Sequence, residues 1–290
     1  MRRLALATTL FIFACGPADR ETPTDAAGSA GSDSGSGSGS DAQQPMPPAS
    51  RIYAHSGATL YKIDAGLYTP TMVGDMKLNG TPLNQSITDI AIDNNDRMIG
   101  ITLDKLYTIN EMTGAVTLIT NLPANAQGFQ SLSFVPDPAD DTKDILIAAN
   151  FDGDVYKIDQ INGSATKIGS YGTVTAGKVG SSGDIISVRG FGTGHYATVK
   201  IAGQPFDFLA QIDKTTYAAS PIGQLGAGTG FKDIFGLAYW EGTIFGFVAG
   251  ANNTGKIIKI DPTTGVGTEV QSGAIRWFGA GVATDAPILQ

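Results

Sequence analysis

The chain has 290 residues, with 27 Asp or Glu against 19 Lys or Arg, and its formal charge is −8 at pH 7. An acidic surface repels the phosphate backbone of nucleic acids and anionic lipid headgroups, so nucleic acid is excluded as an expected partner. The only cysteine is Cys15, which excludes an internal disulfide.

Residues 1–14 have the pattern of an export signal. Arg2 and Arg3 form a positive start, and Leu4 to Ala14 is an apolar run that is too short to span a bilayer. We therefore predict that these residues are a signal peptide and not part of the fold.

The segment from Ile12 to Gly16 resembles the lipobox of bacterial lipoproteins, although Phe13 is an unusual residue inside that motif. The resemblance implies that Cys15 is diacylated, with palmitate-type chains, and becomes the new N-terminus in the cell envelope. Two acyl chains suffice for stable anchoring. The alternative is ordinary signal cleavage beside an incidental cysteine.

Residues 15–50 are predicted to be this lipidated cysteine followed by a disordered linker. Ser and Gly alternate from Ser34 to Ser40, and three prolines lie between 45 and 48. Such a composition cannot bury enough apolar surface to offset the ordering entropy. As a flexible coil it would reach on the order of 30–35 Å. Without the charges of residues 1–50 (three Arg, five Asp or Glu), residues 51–290 carry −6.

A strand-like segment ending in Ile-Asp or Ile-Asn occurs five times in residues 51–290. Each is followed seven residues later by Thr or Ser. A period of roughly 50 residues is typical of a repeat array. The anchor positions are Asp64, Asn110, Asp159, Asp213 and Asp261.

Each anchor is predicted to begin a hairpin between two strands. Its short side chain can accept hydrogen bonds from the N–H groups of the turn, and a glycine four residues later supplies a positive φ. Tyr68 and Tyr217 replace that glycine in the first and fourth copies, so we expect those two hairpins to turn differently.

A second pair of strands lies upstream of most hairpins, so that each unit has four antiparallel strands. In the fourth unit we predict that Gly177-Lys178-Val179 pairs with Ile185-Ile186-Ser187. Small residues in the first strand of each unit suit the crowded centre of a ring. The fold class is therefore all-β, a five-bladed β-propeller. The unit at residues 51–74 lacks a first strand and residues 278–284 supply one, so strands from both termini should close the ring.

Residues 51–290 resemble the bacterial TolB/YncE-like secreted propellers, which carry Leu-Tyr-x-Ile-Asp-x-x-Thr-Gly repeats. The best matches to that motif begin at Leu106 and Val155. The resemblance implies the propeller fold only, because members of that group have many activities or none assigned.

Few residues suggest catalysis, a metal or a cofactor, and none of the three is predicted. The glycine-rich segments at 190–194 and 226–230 precede no helix, which a nucleotide-binding loop requires. The acidic run from Asp137 to Asp144 could offer oxygens to Ca²⁺, but it lacks the EF-hand order, and a solvated hairpin tip is the alternative.

A loop face rich in aromatic and charged residues is the candidate binding site. We place an insertion at residues 190–207 between the second and third strands of the fourth unit, on the face that carries the connections between units. His195 has no neighbouring acid, and inter-blade packing is the alternative role for the aromatics. The expected rim residues are Arg189, His195, Tyr196, Phe231, Lys232, Asp233, Arg276 and Trp277.

The leading hypothesis is a membrane-anchored, exported propeller with a monomeric head that binds a protein or carbohydrate ligand without catalysis. The first alternative is a hydrolase or lyase acting on a polysaccharide or a lactone-like substrate, which a pair of facing carboxylates in one mouth would favour. The second is an envelope-assembly scaffold, which a broad apolar patch would favour.

Overall fold

The fold is a five-bladed β-propeller, as predicted. The computed structural model describes residues 50–226 and 231–289, which form five small antiparallel sheets and no helix. The predicted signal peptide, Cys15 and almost all of the linker lie outside these residues. Within them, no helix is long and apolar enough to cross a membrane.

Each blade has four main strands, numbered from the innermost outward. Blade 1 consists of Gly279–Gly281, Ile52–His55, Thr59–Ile63 and Pro70–Asp75, and blade 2 of Asp89–Ile92, Met98–Ile101, Lys105–Ile109 and Val116–Asn121. Blade 3 consists of Phe129–Asp137, Asp140–Asn150, Asp154–Ile158 and Ala165–Ser170. Blade 4 consists of Gly177–Ile186, His195–Ile201, Asp207–Ile212 and Ala219–Gln224, and blade 5 of Ile234–Trp240, Thr243–Ala249, Gly255–Ile260 and Gly267–Gly273. Short strands Lys77–Leu78 and Thr81–Pro82 extend the outer edge of blade 2, and Thr173–Val174 pairs with the start of blade 4.

The two ends of the described chain close the ring. The strand Gly279–Gly281 pairs antiparallel with Ile52–His55, with His55 opposite Gly279 and Tyr53 opposite Gly281. This pairing completes blade 1 and confirms the predicted closure. The inner strands of all five blades contact their neighbours around the axis, so neither edge of the ring is left open.

The five anchor residues act as the hairpin chemistry predicts. In every copy one side-chain oxygen accepts hydrogen bonds from the backbone N–H groups two and three residues later, at 2.7–3.0 Å. These bonds lower the pKa of Asp159, Asp213 and Asp261, since they stabilise the ionised carboxylate. The most repeated feature of the sequence is therefore turn chemistry.

The expectation that two hairpins turn differently was wrong. Tyr68 and Tyr217 have φ values of 59° and 60°, close to the 71–74° of Gly114, Gly163 and Gly265 at the equivalent positions. A positive φ is strained for an aromatic residue. Packing compensates for this strain, because Tyr217 is buried between blades and the Tyr68 ring packs against Phe245.

The predicted strand boundary in blade 4 was also wrong. Residues 177–186 form one inner strand, with a register shift between Ser181 and Ile185, and the second strand is His195–Ile201. The Ser-Ser-Gly segment at 181–183 is thus a bulge and not a turn. A Cβ on Gly183 would lie 2.4 Å from the carbonyl oxygen of Ile234 in blade 5, so close packing with the next blade keeps this segment in the strand.

The glycine at position 279 provides a test of ring closure. A Cβ there would lie 2.4 Å from Asp89 Oδ1 and 2.6 Å from His55 Nε2, both in the crowded centre. We expect Gly279→Ala to lower the free energy of unfolding by about 1–3 kcal/mol, measured by chemical denaturation. In the control Gly66→Ala, the nearest atom would be Asp64 Oδ1 at 3.4 Å, and stability should hardly change. Equal effects of the two substitutions would contradict this account.

Candidate functional site

The antiparallel strand order decides which loops share a face. The turns between first and second strands and between third and fourth strands lie at one end of every blade, which we call the hairpin face. The turns between second and third strands and the connections between blades lie at the other end, which we call the connection face. Because residues 187–194 join the first and second strands of blade 4, they lie on the hairpin face.

The eight candidate residues are consequently divided between the two faces, and the expected single rim does not form. The corrected strand boundary puts Arg189, His195 and Tyr196 at the hairpin end of blade 4, whereas residues 231–233 and 276 lie on connections between blades. The eight residues do not share a face because the second strand of blade 4 was predicted at residues 185–187 and lies at His195–Ile201.

Arg189 is engaged within the protein. Its guanidinium donates to Asp144 at 2.7 Å, to the Asp141 and Lys143 carbonyls and to the Thr284 hydroxyl, and its backbone N–H donates to the Thr284 carbonyl. These bonds fasten the first hairpin of blade 3 to the C-terminal segment. The same contacts bury Asp144. Residues 137–144 form the tip of that hairpin. No cluster of three potential metal ligands occurs in residues 50–226 and 231–289.

His195 and Tyr196 are buried at the start of a strand. The His195 ring stacks on Tyr217 with centroids 5.8 Å apart, and the Tyr196 ring packs on Phe191 at 5.1 Å. Burial lowers the pKa of His195 to about 4, so the imidazole is neutral at pH 7. His195 thus packs on a residue of its own blade, and Tyr196 packs in the core that blade 4 shares with blade 5.

The connection face brings four of the eight candidate residues together. Phe231, Lys232, Asp233 and Arg276 line one cleft of about 640 Å³ at the connection end of blade 5. The loop between the second and third strands forms the opposite wall. We call this the blade-5 cleft; its further lining residues are Val248, Ala249, Gly250, Ala251, Thr254, Gly255, Lys256, Ser272 and Gly273.

Trp277 belongs to the core beside this cleft. It is 1% exposed, and its indole makes edge contacts with Tyr61 at 5.5 Å and Phe247 at 5.4 Å. The ring therefore joins blade 1 to blade 5. Sequence reasoning missed Lys256 and the 250–255 loop, for which the only signal was the pair of glycines at either end of that loop.

A second group of ionisable residues lies in the centre of the ring. Asp89 and Asp184 occupy equivalent positions of the inner strands of blades 2 and 4, and both are fully buried. Each carboxyl accepts the N–H of the next residue in its own strand, at 2.9 and 2.6 Å respectively. Each also accepts an N–H from the following blade, from Leu132 at 2.7 Å and Leu237 at 2.9 Å.

Ionisation of both carboxyls would place two like charges beside each other in a buried centre, so we expect the pair to retain a proton. Burial raises the pKa of both groups well above the usual range, and the charge of Asp89 raises that of Asp184 further. Buried His55 lies next to Asp89, and burial lowers its pKa to about 4 while its Nδ1 bonds to the Ser56 carbonyl at 2.8 Å.

This central pair joins blades and does not line a mouth. Its oxygens are occupied by backbone N–H groups, and both residues are at most 1% exposed. A catalytic carboxylate pair needs room for a substrate between the groups. The facing carboxylates that would have favoured an enzyme are thus present, but in a position that suits stabilisation of the ring.

Comparisons with known proteins found only distantly similar structures. No protein-family model and no curated protein matches the chain. Similar solved structures include a protein of unknown function from Bacteroides thetaiotaomicron, with 14% identity over 75% of this chain and 56% of that chain at a TM-score of 0.47. Another of unknown function, from Bacteroides caccae, has 9% identity over 77% and 72% at 0.39. BamB from Moraxella catarrhalis has 11% identity over 77% and 69% at 0.34.

The shared proton predicts how stability depends on pH. Both carboxyls ionise near pH 4 in the unfolded chain, whereas the folded pair keeps its proton to higher pH. Its contribution is therefore full below about pH 4 and is lost as pH rises through the raised pKa. Above about pH 4 we expect the free energy of unfolding to fall with rising pH, by up to about 1.4 kcal/mol per pH unit, until the pair loses its proton, measured by denaturation at each pH.

The variant Asp184→Asn separates the contribution of the carboxyl pair to the pH dependence of stability from the contributions of other buried groups. Its amide donates to Asp89 without ionising, so the decline above pH 4 should be shallower although the variant is less stable overall. The lowered pKa of His55 and His195 makes stability rise between about pH 4 and 6.5 in both proteins, and Asp207, whose pKa is raised by burial, leaves a residual decline. Exposed Asp152→Asn should keep the original slope. An unchanged slope in Asp184→Asn would refute the shared proton.

Proposed function

We propose that the protein is an exported, membrane-anchored propeller that binds a small ligand or a short segment of a partner in the blade-5 cleft, without catalysis. The observation that carries this proposal is the convergence of four candidate residues (231–233 and 276) on one concave site. Clefts with an apolar surface and a few polar groups are the usual place for ligands. The export signal and the lipobox-like segment support the anchor and an envelope location.

An envelope-assembly scaffold is the second candidate. Three large apolar side chains lie at the outer hairpin tips of consecutive blades: Leu67, Met112 and Ile161, which are 72%, 78% and 85% exposed. All three project from the hairpin face. Exposed apolar side chains on one face favour docking of another protein, although these three are separate tips and not a continuous patch.

The two candidates predict different sensitive residues. We expect the head, residues 51–290, to capture ligands from glycan and peptide arrays. The double variant Lys232→Gln/Arg276→Gln should weaken this capture by about tenfold or more, because each substitution removes a charged donor. Substitution of Leu67, Met112 and Ile161 by Ser should leave that binding unchanged. If only the Ser variant loses its partner, the scaffold replaces the cleft as the function.

The anchor has its own test. Cys15→Ser removes the thiol that would be acylated, so the full-length chain should move from the membrane fraction to the soluble fraction when expressed in a bacterial host. Export should still occur, which protease accessibility of the head in spheroplasts would report. A Cys15→Ser protein that still sediments with membranes would rule out the lipid anchor.

A further inference from the structure

The charge of the blade-5 cleft opposes the charge of the chain that carries it. Three cationic side chains and one carboxylate line it, whereas residues 51–290 carry −6. A larger groove of about 730 Å³ on the hairpin face is lined by two lysines and three carboxylates. A local excess of positive charge in an acidic protein focuses the field on anions.

The charged side chains of the cleft differ in whether they are already paired. Lys256 pairs with Glu269 at 2.6 Å, and Asp233 with Lys200 at 3.1 Å. By contrast, Lys232 and Arg276 form no ion pair with a carboxylate in the part of the chain that the structure describes. The planar guanidinium of Arg276 lies 5.5 Å from the centre of the Phe278 ring. Its donors suit bidentate recognition of a carboxylate.

The remaining walls suit a hydroxylated ring. Phe231 is buried, at 4% exposed, with Lys256 5.5 Å from its ring centre, whereas Thr254 and Ser272 bring hydroxyl groups to the cleft. The Thr254 hydroxyl donates to the Ala251 carbonyl at 2.7 Å, so its oxygen can accept from a ligand. A few hydroxyl groups in a concave site fix the orientation of a ligand through few contacts.

We infer that the blade-5 cleft recognises the carboxylate of an acidic sugar, with Lys232 and Arg276 as its partners. This inference rests on the proposed binding function and specifies the class of ligand. The carboxylate supplies the ion-pair partner that neither cation has among residues 50–226 and 231–289. The sugar ring lies along the wall formed by Thr254 and Ser272.

The test compares oligogalacturonate with its methyl ester, which has the same backbone without the charge. Calorimetry with the head (residues 51–290) should show binding of the acid that is at least about tenfold tighter than binding of the ester. Raising the salt concentration should weaken binding of the acid but not of the ester. Lys232→Gln and Arg276→Gln should each reduce acid binding by about tenfold, with unchanged unfolding midpoints. Lys214→Gln, on the hairpin face, is the matched control.

The possible outcomes are distinct. Equal binding of acid and ester, or acid binding that survives both cleft substitutions, overturns the inference. If the head binds a neutral glycan or a peptide through the cleft but no acidic sugar, the proposed function stands and this inference fails. If nothing binds to a correctly folded head, both fail.

Discussion

The antiparallel pairing of Gly279–Gly281 with Ile52–His55 is the contact on which the rest of the ring depends. Blades in a propeller bury their apolar faces only against their neighbours. An open ring would therefore expose the faces of two blades together with a free strand edge. The closing strand consists of Gly-Ala-Gly because the centre leaves no room for larger side chains.

Around this centre, side chains also supply hydrogen bonds between blades. Asp89 connects blade 2 to blade 3, and Asp184 connects blade 4 to blade 5. A buried carboxylate is costly unless it is hydrogen-bonded, and in this ring each accepts two backbone N–H groups, while burial favours the protonated form. The same residues therefore stabilise the ring and make its stability sensitive to pH.

The sequence predicted those features that arise from local chemistry. An Asp or Asn that accepts the N–H groups two and three residues later acts within one hairpin, so five hairpins and the number of blades could be inferred from the repeat. The bulge at 181–183 could not, because it depends on the backbone of blade 5 against Gly183. That one error moved Arg189, His195 and Tyr196 to the wrong face. The four residues 231–233 and 276 lie together because connections between blades share a face. Their charges could be read from the sequence, but whether Lys232 and Arg276 pair with a carboxylate among the described residues could not.

The central pair also limits how symmetric such a ring can be. The residues at the equivalent inner positions are Asp89, Ser131, Asp184, Gly236 and Gly279, so the two acids lie on non-adjacent blades. Five identical blades with an acid at this position would place five carboxyls around one buried axis, where one proton could not neutralise them. Five identical blades without an acid would have no carboxyl to connect neighbouring blades. An odd-numbered ring cannot alternate the two choices evenly. The acid pair in this centre is consequently possible only because the five copies diverge at this position.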